Sequence, residues 1–222
     1  GNRMNLAKHG LTDRIEEINR TLVGYSRELA GNGVYVAGDI TTSGSFITAD
    51  GNYTYTEAFD MYQEQVRILA DAGIDLIAAE TMINIEETLA AVDAASSVCD
   101  LPIMCTMTVE ADGSIFSGGN AIEASVSLEA AGADAVGINC SVGPDQLVSV
   151  VRSIKENVSI PVIAKPNAGM PTIDDKGQAV YSMNAEDFAS YMKVLIESGA
   201  SVVGGCCGTT PAFIKALHDS IR

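Results

Sequence analysis

The segment Gly204-Gly205-Cys206-Cys207-Gly208-Thr209-Thr210-Pro211 sets two vicinal cysteines among glycines, and a third cysteine closes Gly137-Ile138-Asn139-Cys140. Neighbours on a regular strand point to opposite faces. Both sulfurs of the vicinal pair therefore reach one ion only where the strand breaks, and the flanking glycines permit that break. Cys140, Cys206 and Cys207 are expected to hold a metal. Three thiolates with a fourth position open fit a catalytic zinc, whereas a fourth protein ligand would close the site. A substrate thiol could fill the opening. Free thiols have a pKa near ~8.5 and are mostly protonated at neutral pH, whereas zinc coordination removes the proton. The resulting thiolate is the nucleophile needed to attack a methyl group. The remaining cysteines, Cys99 at a helix end and Cys105 within a strand, read as small buried hydrophobes. An odd total of five cysteines is a poor disulfide framework. His9 and His218, the only histidines, sit in polar surroundings, which argues against a histidine-based zinc site or a Ser-His-Asp triad.

The elements that must position these sulfurs follow a repeated local pattern. A helical stretch ends in a small residue and Gly, and an apolar run follows. It is seen in ADAGIDLIAAE (70–80), EAAGADAVGIN (129–139) and IESGASVVGGC (196–206), and more loosely in AGNGVYVAGDI (30–40). Gly at the position after a helix takes the left-handed conformation that ends it. Continuous apolar runs suit strands buried on both faces of a parallel sheet. Strands are expected over Val34–Ile40, Asp75–Glu80, Pro102–Val109, Ala135–Cys140, Pro161–Lys165 and Ser201–Cys206. Asn84 with Glu87 reads as a capping-box start for a helix to about Ser97. Pro144, Asn184 with Asp187, and Thr210–Pro211 open three more helices. Phe59, Tyr62, Val66 and Leu69 share one face of a helix over Thr56–Ala72, and Ile15, Ile18, Leu22 and Tyr25 share one in the first long helix.

Strands alternating with helices mean an α/β fold with a parallel sheet. An open doubly wound sheet and a closed (β/α)₈ barrel compete. No G-x-G-x-x-G follows the first strand, which weakens a dinucleotide-binding fold. Thr41, Thr42, Glu80, Cys140, Lys165 and Cys206–Cys207 all fall at carboxyl ends of strands, the catalytic face of a TIM barrel. Residues 1–222 are thus expected to form one barrel domain. A barrel needs eight strands and the sequence supplies six, so its first two strands and first helix are expected to be lacking from this chain.

Apolar residues make up 47% of the 222, enough for a sizeable core. No apolar run approaches the ~20 residues that span a membrane, and no basic segment leading into an apolar one opens the chain. A cytoplasmic protein is expected. The net charge of −16 repels phosphate backbones, so nucleic acid is not an expected partner.

GINC (137–140) with GGCCGTTP (204–211) resembles the homocysteine S-methyltransferase family. VYVAGDITTSG (34–44), AAETM (78–82), GINCSVGPDQL (137–147) and AKPNAGMP (164–171) are similar to family segments in the same order, so the resemblance covers nearly the whole chain. The family includes betaine–homocysteine methyltransferase and the homocysteine-binding module of cobalamin-dependent methionine synthase, and the KPNAG stretch leans toward the latter. The resemblance implies zinc on Cys140, Cys206 and Cys207, homocysteine as substrate and methionine as product. It implies that Glu80 lies beside homocysteine, where a carboxylate can bind the amino group. Asn139 and Gly137 are expected to support the site, and Thr41 and Thr42 to line its mouth. The implied methyl donors are methylcobalamin on another domain or chain, S-methylmethionine or betaine. The family's Asp-Gly-x-x-Gly-Thr first strand and Thr-Asn-Thr-like second strand have no counterpart in this sequence, so weak or absent turnover is expected of the isolated chain.

Two other readings compete. Lys165 at a barrel strand end could form a Schiff base, with Glu80 as acid or base, but that leaves the cysteines without a role. A zinc-binding barrel fragment without activity would keep the metal and lose the amino acid.

Overall fold

The computed structural model describes residues 1–47 and 53–222. Six parallel strands form one sheet in the order β1 (Ala37–Thr41), β2 (Leu76–Met82), β3 (Ile103–Met107), β4 (Ala135–Asn139), β5 (Val162–Lys165) and β8 (Ala200–Val203). Helices alternate with them: α1 (Arg3–Ala7) and α2 (Ile15–Ala30) precede β1, then follow α3 (Tyr55–Asp71), α4 (Ile85–Val98), α5 (Ala121–Ala130), α6 (Val148–Asn157), α7 (Ala185–Glu197) and α8 (Pro211–Ser220). The sheet is a partial TIM barrel, with the helices on its outer face. Among the described residues, β1 and β8 each pair on one side only.

The helix ends follow the sequence signals. Gly73, Gly132 and Gly199 carry φ of 87°, 102° and 119°, the left-handed stops that precede β2, β4 and β8. Asn84 caps α4 by accepting from Glu87 N–H at 2.8 Å, but the reciprocal half of the expected capping box is absent. The Glu87 carboxylate instead accepts from Thr42 Oγ1 (2.6 Å), Ser43 N–H (2.9 Å) and Tyr62 Oη (3.0 Å), tying α4 and α3 to the loop after β1. A fully buried carboxylate needs such donors, and no exposed N-cap supplies as many.

The core lies between sheet and helices. Tyr62, Val66 and Leu69 of α3 are buried as expected, with Phe59 packed against them. The face expected for α2 differs. Ile15, Asn19 and Val23 are buried, while Leu22 and Tyr25 are 57% and 60% exposed. Asn19 occupies a core position because Ile15 and Gly1 carbonyls accept its amide hydrogens and Gln65 donates to its oxygen. Apolar spacing does not register a polar side chain satisfied inside.

Most expected strand limits shift by a residue or two. The larger departures are at the margins. β1 begins at Ala37, leaving Val34 and Tyr35 exposed, and β8 ends at Val203 rather than Cys206. A hairpin of β6 (Pro171–Ile173) and β7 (Ala179–Tyr181) follows β5, in a stretch to which the sequence pattern assigns no strand. Its turn is built by Asp174, which accepts from Lys176 and Gln178 N–H, with Gly177 at φ 75°.

Candidate metal and substrate site

β4 delivers Cys140. The strand ends at Asn139, and Cys140 turns into the left-handed region at φ 50°. A non-glycine residue there costs roughly 1–2 kcal/mol, so surrounding contacts must hold it. Asn139 does most of this. It is 1% exposed; its Oδ1 accepts from Thr81 N–H (2.7 Å) and Thr106 Oγ1 (2.8 Å), and its Nδ2 donates to Thr81 Oγ1 (2.9 Å) and toward Cys206 Sγ (3.7 Å). Thr81 is itself left-handed, at φ 58°, just where β2 slips register against β3. One buried amide thus locks the ends of β2, β3 and β4 around the sulfurs.

The vicinal pair is held differently. After β8 the chain leaves the ladder. Cys206 N–H donates to Pro166 O (2.9 Å), Cys207 N–H to Asn167 Oδ1 (3.0 Å), and Cys207 O accepts from Ala168 N–H (2.9 Å). Thr209 Oγ1 donates to Cys206 O at 2.7 Å. Gly208, at φ 80°, lies under the Tyr181 ring, where a Cβ would come within 2.3 Å of the ring carbon. The hairpin therefore lays Tyr181 against the cysteine loop. Desolvation and the Cys207 sulfur beside it raise the Tyr181 phenol above its ordinary range.

The sulfurs of Cys140, Cys206 and Cys207 lie within 4.8 Å of one another, with Cys140 and Cys207 at 3.4 Å. Among the described residues no other group of this kind is present. The thiols share their protons unequally. Cys206 is pulled down to about 6, chiefly by a hydrogen bond from Cys140, with help from Cys207 N–H and Asn139. Cys140 is correspondingly pushed up. A thiolate at neutral pH beside two further sulfurs is the donor set that zinc takes. Cys105, by contrast, is buried in the core and pushed up to about 12 by burial. Cys99 sits half-buried at the end of α4.

Glu80 and Lys165 face the barrel interior from β2 and β5 and form a direct ion pair, both about a quarter exposed. With its amine engaged by the Glu80 carboxylate, Lys165 is not presented as the free nucleophile that a Schiff base needs. Asp39, on β1, was not singled out from the sequence. Its carboxyl is crowded by the surrounding protein and by the Glu80 charge, and it is pushed up to about 6 although its side chain keeps solvent access. Gly137 sits where a Cβ would lie 2.0 Å from the Ile163 carbonyl oxygen, so its place on β4 is first a matter of close strand approach. Thr41 accepts through its carbonyl from Asn2 and Tyr62. The Thr42 hydroxyl is engaged by Glu87, so the structure does not bring it to the sulfurs.

The homocysteine S-methyltransferase family model matches residues 1–221. Methionine synthase of Mycobacterium tuberculosis is 31% identical over 232 residues, which cover 99% of this chain and 19% of that protein. Homocysteine S-methyltransferase 3 of Zea mays is 33% identical over 201 residues, 87% of this chain and 57% of the other. The chain therefore spans well under two thirds of the length of these curated relatives. In fold, it resembles the metallated form of the homocysteine methyltransferase MmuM from Escherichia coli, with a TM-score of 0.75 over 98% of this chain and 75% of that one, at 24% identity. With the barrel strands, the converging sulfurs and a match along essentially its whole length, the chain belongs to the homocysteine S-methyltransferase family.

Proposed function

We propose that this chain transfers a methyl group to the thiol of homocysteine, giving methionine, with zinc held by Cys140, Cys206 and Cys207. The observation that carries the reading is the meeting of three sulfurs from β4 and the loop after β8 within 4.8 Å, beside an interior carboxylate. Bound zinc would supply Lewis acidity that lowers the proton affinity of a thiol at neutral pH. The chain's own residues do the rest. Cys206, down to about 6, is ready as a thiolate before any ion arrives. Asn139 fixes the ends of three strands so that the donors keep their places. Glu80, with Asp39 beside it, offers negative charge to the amino group of the amino acid. Gly137 lets β4 approach β5, and Thr41 stands at the mouth; Thr42 serves through Glu87 by fixing the loop. The homocysteine thiolate then attacks the methyl carbon and displaces the donor, which leaves with the electron pair of its bond to methyl as the new carbon–sulfur bond forms. Orientation and a low-dielectric site are the protein's share.

The donor proposed first is methylcobalamin on another domain or chain, supported by the match of 99% of this chain to part of a methionine synthase; S-methylmethionine and betaine are the alternatives. No helix among the described residues is long and apolar enough to cross a membrane, in keeping with the cytoplasmic placement we propose. Metal analysis of the purified chain tests the site. About one zinc per chain is expected, lost in Cys207→Ala; metal content indifferent to that change removes the assignment. Calorimetric titration with homocysteine separates an amino-acid site from an inert zinc-binding barrel, which would take up zinc and give no heat of binding.

A further inference from the structure

Beside the face that Ile15, Asn19 and Val23 bury, α2 leaves an apolar stripe bare. Ile18, Leu22, Tyr25 and Leu29 recur at intervals of four, three and four residues, so they share one line along the helix. Leu29 is 88% exposed and Leu22 and Tyr25 more than half, and Val34 and Tyr35 follow at 59% and 82% in the segment from α2 to β1. Among the described residues nothing covers these side chains. Single exposed apolar residues need no explanation, but a run of them does. The bare area is on the order of 500 Å² per copy of the chain. The same helix carries a hollow. Arg14, Glu17, Ile18, Thr21 and Leu22 line a cavity of about 180 Å³. The first four have the i, i+3, i+4, i+7 spacing of a hole that receives one side chain from a facing helix. Arg14 and Glu17 pair at 2.7 Å and keep its rim polar.

We propose that α2 packs antiparallel against α2 of a second copy of this chain, Leu29 of each copy entering the hollow of the other. The spacing argues for this occupant. Ile18 lies as far before the midpoint of the stripe as Leu29 lies after it, and Leu22 and Tyr25 stand in the same relation. About a two-fold axis through that midpoint, Leu29 meets Ile18 and Leu22 meets Tyr25, each contact made twice, as an isologous interface requires. Two copies bring together about 1,000 Å², the size at which specific interfaces begin. The pair is therefore weak, half associated at roughly 1–100 μM. α2 leads into the amino end of β1, whereas the sulfurs follow the carboxyl ends of β4 and β8. The mouth of the sulfur site thus stays open in the pair.

Sedimentation velocity of the full chain, from about 1 to about 300 μM, tests this. The wild type is expected to pass from monomer to dimer across that range. Leu29→Glu should weaken association by roughly tenfold or more, since it sends a charge into the apolar hollow. Ile18→Lys should do the same from the other side. An equimolar mixture of the two variants should regain dimer: the new carboxylate meets the new ammonium at one end, and the wild-type contact between Leu29 and Ile18 remains at the other. Thr21→Lys, at the exposed rim of the same hollow, replaces Ile18→Lys if that variant does not melt cooperatively. Wild-type chain that stays monomeric at about 300 μM overturns the inference. So does a Leu29→Glu variant that dimerises like the wild type, because the interface then lies elsewhere. A mixture that stays monomeric while the wild type dimerises rules out the antiparallel register and overturns it too.

Discussion

The two halves of the sulfur cluster come from opposite kinds of strand. β4 is paired on both sides and every one of its residues is buried; β8 is paired on one side and only Ala200 is buried. Cys140 inherits its position from the sheet itself, through a left-handed turn locked by Asn139. Cys206 and Cys207 do not. Their backbone amides are held by Pro166 and Asn167, in the segment that follows β5. A sheet margin can therefore carry half of a sulfur cluster, provided a neighbouring loop replaces the ladder it has left.

The contrast can be broken most sharply by core truncation. Ile138→Ala on β4, at 0% exposure, is expected to cost about 2–5 kcal/mol of unfolding free energy, and Val203→Ala on β8 about 1 kcal/mol or less. Equal costs in chemical denaturation would mean that the margin is as firmly packed as the centre. Next in size is Asn139→Ala. It strands Thr81 N–H and Thr106 Oγ1, at roughly 1–3 kcal/mol, and should weaken zinc binding about 10–100-fold. The alkylation midpoint of Cys206 in metal-free protein, expected at about 6, should move up as the amide's hydrogen bond is lost.

Asn167→Ala sharpens the comparison from the other side. It removes the acceptor for Cys207 N–H and the donor to Ser141 O. Zinc affinity, read by competition with a chelator, should fall by about tenfold, with a smaller loss of stability than Asn139→Ala. A reversed ranking would place the weight of the site on the margin. The smallest effect belongs to Asp39→Asn on the edge strand. The Asp39 carboxyl is raised in the folded chain to about 6, so folding disfavours its charged form, and stability is lost as pH rises from the ordinary carboxylate range through 6. The variant should melt roughly 1–3 °C higher at pH 7, since solvent access screens the effect, and be indistinguishable from wild type at pH 4.

Much of this arrangement was legible in the sequence, for local reasons. Gly73, Gly132 and Gly199 stop helices by their own backbone freedom, so the places where β2, β4 and β8 begin can be read without any partner. Cys206 and Cys207 stand out because a vicinal pair after two glycines has few structural uses. The hairpin of β6 and β7 escaped notice because its strands are three residues each and mostly exposed, leaving no apolar alternation to read. The burial of Asn19 rather than Leu22 on α2 likewise follows from partners on other elements.

The sequence by itself determined the order of the six parallel strands and the helices between them, the three cysteines that meet and the family, since all of these depend on residue type and spacing along the chain. Only the tertiary structure decided which polar groups share the interior. Glu87 turned from a helix cap to a buried anchor for the loop after β1, Glu80 met Lys165, and Tyr181 came to lie over Gly208. The reason is physical: a buried charge must find its partner across space, and the partners here stand dozens of residues apart on strands that only the curvature of the sheet brings together.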